Sequence, residues 1–93
     1  MKYAVNLETW RYARLQTISD MSRIEDTVQH ARKFQLGQPQ LIRFNVNGKL
    51  CTDQFIIHGY MSDTQNNDLY LEFSLMHKGS TRHTKLITEV QPV

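Results

Sequence analysis

The segment 75–85, LMHKGSTRHTK, places two histidines, an arginine and two lysines around Gly79-Ser80. Two histidines with a nearby cation could act as acid and base on a phosphate ester, and histidine is also a common zinc ligand. A Gly-Ser pair between two alternating segments equally predicts a two-residue hairpin turn. The segment therefore supports three hypotheses: a phosphate or catalytic site, a metal site, and a turn that is merely basic.

The remaining chemistry-bearing residues do not reinforce a metal or cofactor site. The chain has four histidines and a single cysteine, Cys51, with no Cys-x-x-Cys and no His-x-x-x-His spacing. Structural zinc sites use four cysteine or histidine ligands at such close spacings. No glycine-rich phosphate loop occurs either, and Cys51 follows a predicted turn as a small core residue. We predict no metal and no cofactor.

Size and composition limit the class of protein. The chain has 93 residues, 40% of them hydrophobic and 22% charged, with a net charge of +2. This predicts one domain spanning residues 1–93, with no strong electrostatic preference for nucleic acid. A lone cysteine fits a reducing compartment, and no run of 18 apolar residues is present, so we predict a cytoplasmic protein without a membrane span.

The elements that must position the histidines begin with an amphipathic helix over about 22–36. Ser22 and Glu25 form a capping box, an apolar stripe includes Ile24 and Val28, and Gly37 is a typical stop. Four strand segments follow, with hairpins at Asn47-Gly48 and Gly79-Ser80. The sequence predicts an α+β fold in which one helix packs on a four- to five-stranded antiparallel sheet. Residues 3–7 alternate as a further strand; for TWRYARLQTI (9–18) a strand is favoured and a short helix is the alternative.

Strand register assigns side chains to faces. A two-residue loop at Gly79-Ser80 pairs His77 with Arg82 and Phe73 with Leu86, which gives one apolar core face and separates His77 from His83. The other face of the sheet would be half apolar and open, unless the N-terminal segment covers it. Its predicted partner-binding residues are Ile56, His58, Tyr60, Tyr70, Met76, His83, Lys85 and Ile87.

Three functions from different classes are consistent with this sequence. The leading hypothesis is a small non-catalytic binding module that docks on a larger protein or nucleoprotein machine, or that forms a homodimer. It would be a regulator, adaptor or inhibitor of the kind found among bacterial and phage proteins. The first alternative is a nucleic-acid-binding protein, in which aromatic and basic side chains contact the strand. Its contacts would be Trp10, Arg11, Tyr12, Arg14, Lys78 and Arg82, the last two in the basic 77–85 hairpin. The second alternative is a small ribonuclease that uses His58 and His83.

Overall fold

A computed structural model describes residues 1–15, 21–65, 68–77 and 81–93. Over these residues two α-helices pack on a six-stranded antiparallel sheet, so the α+β prediction is confirmed, although one helix and four to five strands were expected. The elements in chain order are β1 (Lys2–Val5), α1 (Leu7–Leu15), α2 (Met21–Ala31), β2 (Pro39–Val46), β3 (Lys49–Asp63), β4 (Leu69–Leu75), β5 (Arg82–Leu86), a 3₁₀ turn (Ile87–Glu89) and β6 (Val90–Pro92).

Helix α1 covers residues 9–15 of the segment for which a strand was favoured, so there that prediction is wrong and its alternative is right; residues 16–18 lie outside the described residues. The Asn6 side-chain oxygen accepts hydrogen bonds from the amides of Glu8 (2.9 Å) and Thr9 (3.3 Å), which caps the first turn. Trp10 is buried at 5% exposure, and the partly buried Leu15 also packs against the core. Helix formation thus satisfies the free amides of the first turn and buries the single tryptophan of the chain.

Helix α2 is shorter than the predicted 22–36. It begins at Met21, so Ser22 is already helical, and it ends at Ala31. The next residues form tighter i to i+3 turns, with the Phe34 amide donating to the Ala31 carbonyl (3.2 Å). This tightening directs Phe34 into the core, where it is 5% exposed. Gly37 has a φ of 81°, which glycine adopts without strain.

The Asn47-Gly48 hairpin is confirmed. Val46 pairs with Lys49, so the loop has two residues, and both have positive φ angles of 52° and 84°. These angles are typical of the type I′ turn that matches the twist of a hairpin. The Asn45 side chain accepts a hydrogen bond from the Gly48 amide (2.8 Å), which holds the turn further.

Strand β3 is the centre of the sheet and contains a β-bulge. Its first half pairs with β2 and its second half with β1 along one edge, while β4 pairs along the other. The pairing with β4 shifts between Ile57 and Gly59, so His58 is an extra residue. After the bulge the alternation of side chains is reversed, and Tyr60 lies on the same face as Ile57.

The register predicted between β4 and β5 is wrong. Phe73 pairs with His83 and not with Leu86, and the last pair of the ladder is Ser74 with Arg82. The connection is therefore longer than two residues; Gly79-Ser80 itself lies outside the described residues. The chain beyond β5 does not continue along β4 either, because Val90 pairs with Phe44 of β2.

The sheet is curled, and the 3₁₀ turn shows why. Strands β5 and β6 stand at opposite ends of the strand order β5-β4-β3-β2-β6. With strands about 4.8 Å apart, a flat sheet would separate these ends by about 19 Å. Only Ile87–Glu89 lies between them, and four steps between Cα atoms reach at most about 15 Å. The two ends of the sheet must therefore bend towards each other.

An aromatic cluster fills the inside of this curl. Phe44, Phe55 and Phe73 come from three neighbouring strands, and their ring centroids are 5.2–5.4 Å apart in edge-to-face pairs. The His83 ring, from a fourth strand, stacks on Phe73 at 5.6 Å. Because these side chains share one face with the residues that contact the helices, we call it the inner face and the opposite one the outer face.

The helices are joined to each other by ion pairs and to the sheet by a tyrosine. Arg11 binds Glu25 through two nitrogens, at 2.9 and 3.3 Å, and Arg32 binds Glu8. The hydrogen bond from Arg32 lowers the pKa of the Glu8 carboxyl. The Tyr60 hydroxyl donates to the Ala31 carbonyl at the end of α2 (3.1 Å), and burial raises the pKa of that hydroxyl.

The position of Tyr60 makes stability sensitive to alkaline pH. Because the folded state keeps Tyr60 protonated above the ordinary tyrosine pKa of 10.0, the unfolded state binds fewer protons there, and stability falls as pH rises. We expect Tyr60→Phe to lose about 1 kcal/mol at neutral pH, through the missing hydrogen bond, and to reduce the alkaline fall. Urea unfolding between neutral pH and about pH 11 measures both effects. A variant curve parallel to that of the wild type would contradict this account.

Candidate functional site

The outer face carries an apolar row that crosses four strands. Ala4 of β1 pairs with Met61 of β3, Met61 with Tyr70 of β4, and Tyr70 with Leu86 of β5. Directly paired residues project on the same face, so the four side chains form one line. Ala4 is exposed and the other three are half-buried. The ammonium group of Lys2 lies 4.6 Å from the centre of the Tyr70 ring, at one margin of the row.

Polar side chains border this row. Glu72, one position along the outer face from Tyr70, accepts a hydrogen bond from Arg82 of β5 (3.0 Å). His58 projects from the bulge, and its Nε2 lies 2.7 Å from the Ser74 hydroxyl. Beyond this pair lies half-buried Ile56, which is opposite Ser74 on β3. The outer face thus has an apolar strip with a polar margin whose charged and hydroxyl groups have partners.

The His58–Ser74 pair resembles part of a nucleophilic site, but its geometry is unsuited to attack. A serine nucleophile needs a neighbouring base and an open approach to a carbonyl or phosphoryl group. Ser74 is 1% exposed, because its outer side is covered by the histidine and its neighbours. The hydrogen bond therefore serves to satisfy a buried hydroxyl, and we infer no serine chemistry from it.

The predicted partner-binding residues are divided between the two faces. Ile56, His58 and Tyr70 lie on the outer face, as predicted. His83 and Lys85 pair with Phe73 and Leu71, so they lie on the inner face. The others are separated from the outer face: Tyr60 is 7% exposed beneath α2, Ile87 is 1% exposed in the 3₁₀ turn, and Met76 follows the end of β4 at 41% exposure.

The structure also removes the geometry on which the ribonuclease hypothesis depends. His58 contacts Ser74 on the outer face, whereas His83 packs on Phe73 of the inner face. An acid and a base that act on one phosphate must lie within hydrogen-bond reach of it. The sheet stands between these two histidines, so they do not form a pair.

The residues predicted to contact nucleic acid do not form one patch. Trp10 is buried, Arg11 binds Glu25, and Arg82 binds Glu72. Tyr12 is 68% exposed on α1, while Arg14 lies close to the Trp10 ring, 5.9 Å from its centre. Lys78 lies outside the described residues. Among the described side chains of this set, Trp10 is therefore engaged in the core, Arg11 and Arg82 in ion pairs, and Arg14 with the Trp10 ring.

A small cavity beside Trp10 was not anticipated. It has a volume of about 80 Å³ and is bordered by residues of α1, α2, β4, β5 and the 3₁₀ turn, and by Asp68, which precedes β4. The indole Nε1 is buried and has no hydrogen-bond partner among the described residues. A cavity of this size accommodates a few water molecules, which would satisfy the indole, so we assign it no ligand.

The described residues show neither a cluster of metal ligands nor a membrane-spanning helix. Within the described ranges, no group of three histidine, cysteine or carboxylate side chains is placed to hold a metal ion. No helix in those ranges is long and apolar enough to cross a membrane. Cys51 is exposed near the end of the β2–β3 hairpin, so its predicted core position is wrong.

Comparison with known proteins gives no match: no family model, no curated protein and no solved structure is similar to this chain. Interpretation of the site therefore depends on its own geometry. The strongest geometric feature is the apolar row on the outer face.

The inaccessibility of Ser74 leads to a direct chemical test. We expect a fluorophosphonate, which labels activated serines, to leave the protein unmodified, because Ser74 cannot reach the reagent. Intact mass spectrometry measures this, with trypsin in a parallel tube as proof that the reagent is active. A mass increase that is absent from Ser74→Ala would show that the hydroxyl is an accessible nucleophile.

Proposed function

We propose that the protein is a non-catalytic binding module that docks a partner protein on the outer face of its sheet. The observation that supports this most is the row Ala4, Met61, Tyr70 and Leu86, which crosses four strands and remains partly exposed while both helices cover the inner face. A continuous apolar strip of this kind loses contact with water when a partner covers it.

The composition of the outer face favours protein as the partner. Tyrosine and methionine are enriched at protein interfaces, and a polar rim commonly surrounds the apolar centre. Here Lys2, His58 and the Glu72–Arg82 pair supply that rim. A tyrosine that is half-buried by its own fold also needs little further ordering when a partner binds, which favours Tyr70 as an energetic centre.

Charge arrangement makes nucleic acid the weaker alternative. Phosphate binding requires basic side chains that are free to replace counterions. Arg11, Arg23, Arg32 and Arg82 each face a carboxylate within 4.0 Å, so their charge is largely compensated within the chain. A regulator, adaptor or inhibitor of a larger protein therefore remains the function that we propose.

Paired substitutions test this proposal. We expect Tyr70→Ala and Met61→Ser to reduce capture of partner proteins from a lysate of the source organism by about tenfold or more, because each opens the centre of the apolar row. Tyr12→Ala removes an equally aromatic but distant exposed side chain and should leave capture unchanged. Quantitative mass spectrometry of the captured proteins gives the ratio, and thermal unfolding confirms that each variant is folded.

Two outcomes would contradict the proposal. If Tyr70→Ala and Met61→Ser both capture the same proteins as the wild type, the outer face is not the docking surface. If nuclease treatment of the lysate abolishes capture, the partner is held through nucleic acid, and the alternative function is correct.

A further inference from the structure

The first residues of β3 form a free strand edge. Strand β2 pairs along one side of Lys49–Asp53, but β4 begins to pair on the other side only at Phe55, opposite Leu75. The Met76 amide donates to the Gln54 carbonyl (3.1 Å), which marks the limit of that ladder. Among the described residues, therefore, none pairs with this side of the five residues 49 to 53.

The backbone groups that face this open side follow from the hairpin geometry. In a hairpin with a two-residue loop, the two residues next to the loop exchange backbone hydrogen bonds; here these are Val46 and Lys49. Along each strand, the backbone N–H and C=O groups of successive residues then point alternately towards the partner strand and away from it. The N–H and C=O groups of Leu50 and Thr52 consequently point away from β2. Gln54 is two residues beyond Thr52, so its carbonyl should also point away from β2. The hydrogen bond that it accepts from the Met76 amide on that side agrees with this assignment. Such unpaired groups are able to bind another strand.

The side chains along the edge carry opposite charges at symmetric positions. Lys49, Cys51 and Asp53 project on the inner face beyond the aromatic cluster, and all three are exposed. Lys49 and Asp53 stand about 13 Å apart along the strand, too far to pair with each other. Neither forms an ion pair with another described residue.

We propose that this edge binds the same edge of a second copy of the chain, antiparallel, about a two-fold axis at Cys51. Leu50 then pairs with Thr52 of the second copy, and Thr52 pairs with Leu50 of the second copy. The outward-pointing N–H and C=O groups of these residues form four backbone hydrogen bonds between the two copies. Lys49 faces Asp53 of the second copy, and the symmetry repeats that contact. This interaction is separate from the outer-face docking proposed above and does not require it.

Other registers are less favourable. Only registers that bring outward-pointing residues opposite each other can form hydrogen bonds. A two-fold axis at Leu50 places Lys49 opposite Cys51, and one at Thr52 places Cys51 opposite Asp53, so both lose the two charge contacts. Like or unmatched charges opposite each other do not stabilise a strand pair, whereas opposite charges do. Of these three registers, the axis at Cys51 is the one that places each charge opposite a charge of the other sign.

Other strand edges lack this self-complementarity. Strand β5 has Arg82, His83 and Lys85 but no carboxylate, so its antiparallel pairing brings basic side chains together. Strand β1 has lysine as its one charged residue, and β6 contains Pro92, which lacks an amide donor. Among these strand edges of the described residues, 49–53 is the one that combines free backbone groups with both charges.

The proposed register also places the two Cys51 side chains opposite each other in a non-hydrogen-bonded pair. The Cα atoms of such a pair are about 4.5 Å apart, within the range of a disulfide. Cys51 is a free, exposed thiol. A small disulfide oxidant can therefore trap the dimer: the two thiols give one disulfide, and one oxidised glutathione gives two reduced glutathiones.

Trapping by oxidised glutathione tests the register. We expect disulfide-linked dimer on non-reducing gels, formed faster at higher protein concentration and absent from Cys51→Ser. In Lys49→Glu, the new carboxylate of each copy faces Asp53 of the other copy. This repulsion occurs at both ends of the strand pair and should slow trapping by at least about fivefold. The double variant Lys49→Glu with Asp53→Lys restores opposite charges and should recover the wild-type rate within about twofold. Reaction of each variant with an aromatic disulfide reagent corrects for changes in thiol reactivity.

Matched variants separate pairing from general charge effects. Lys33→Glu changes the net charge as Lys49→Glu does but lies in the exposed turn after α2, and it should trap at the wild-type rate. Thr52→Pro removes an N–H that points into solvent, so the monomer should still fold by circular dichroism while trapping slows by at least about fivefold. Equal rates for the wild type and Lys49→Glu, or a double variant no faster than the single one, would overturn the proposal. No concentration-dependent dimer at all would overturn it as well.

Discussion

The short link between β5 and β6 is the constraint on which the rest of the structure depends. Because Ile87–Glu89 must join strands at opposite ends of the sheet, the sheet curls, and its inner face becomes concave. On a concave face the side chains of separate strands converge, and this brings Phe44, Phe55, Phe73 and His83 into contact. A small domain has little apolar surface to bury, and convergence allows four strands and two helices to share one core.

The same curl explains why the outer face remains partly open. Side chains on a convex surface diverge, so neighbours such as Met61 and Tyr70 cover each other only in part. The bulge at His58 adds a second effect, because it reverses the alternation within β3. Without the extra residue, Tyr60 would lie on the outer face; with it, Tyr60 binds the end of α2 and Met61 joins the apolar row.

Sequence reasoning succeeded where structure is determined locally. The Asn47-Gly48 turn and the stripe of α2 depend on neighbouring residues, and both are present. Helix α1 also had a local signal that was missed: Asn6 as a cap before Glu8, with the apolar residues Leu7 and Trp10 three positions apart and therefore on one face. Gly59 inside a strand pattern was a further missed signal, because a glycine there often marks a bulge. On the outer face, Ile56, His58 and Tyr70 were therefore predicted, while Met61 and Leu86 were not.

The register of β5 could not be derived in the same way. The two-residue turn was chosen because it gave the best apolar face within one hairpin. The native register is set instead by contacts with elements far away in sequence. Val90 pairs with Phe44 of β2, the 3₁₀ turn with Ile87 packs against α2, and these two side chains become 0% and 1% exposed. The free energy gained by burying these two side chains exists only once the sheet has curled. A rule that considers one hairpin at a time therefore does not include it.

Closure by β6 also has a consequence for the order of events during synthesis. Strand β2 is made more than 40 residues before its partner, Val90–Pro92, which leaves the ribosome after the five other strands of the described sheet. Contacts between residues so distant in sequence form late, because the chain between them must first be ordered. The nascent domain therefore passes through a stage in which its helices and central strands are present while the sheet is still open, with Phe44 not yet covered by Val90.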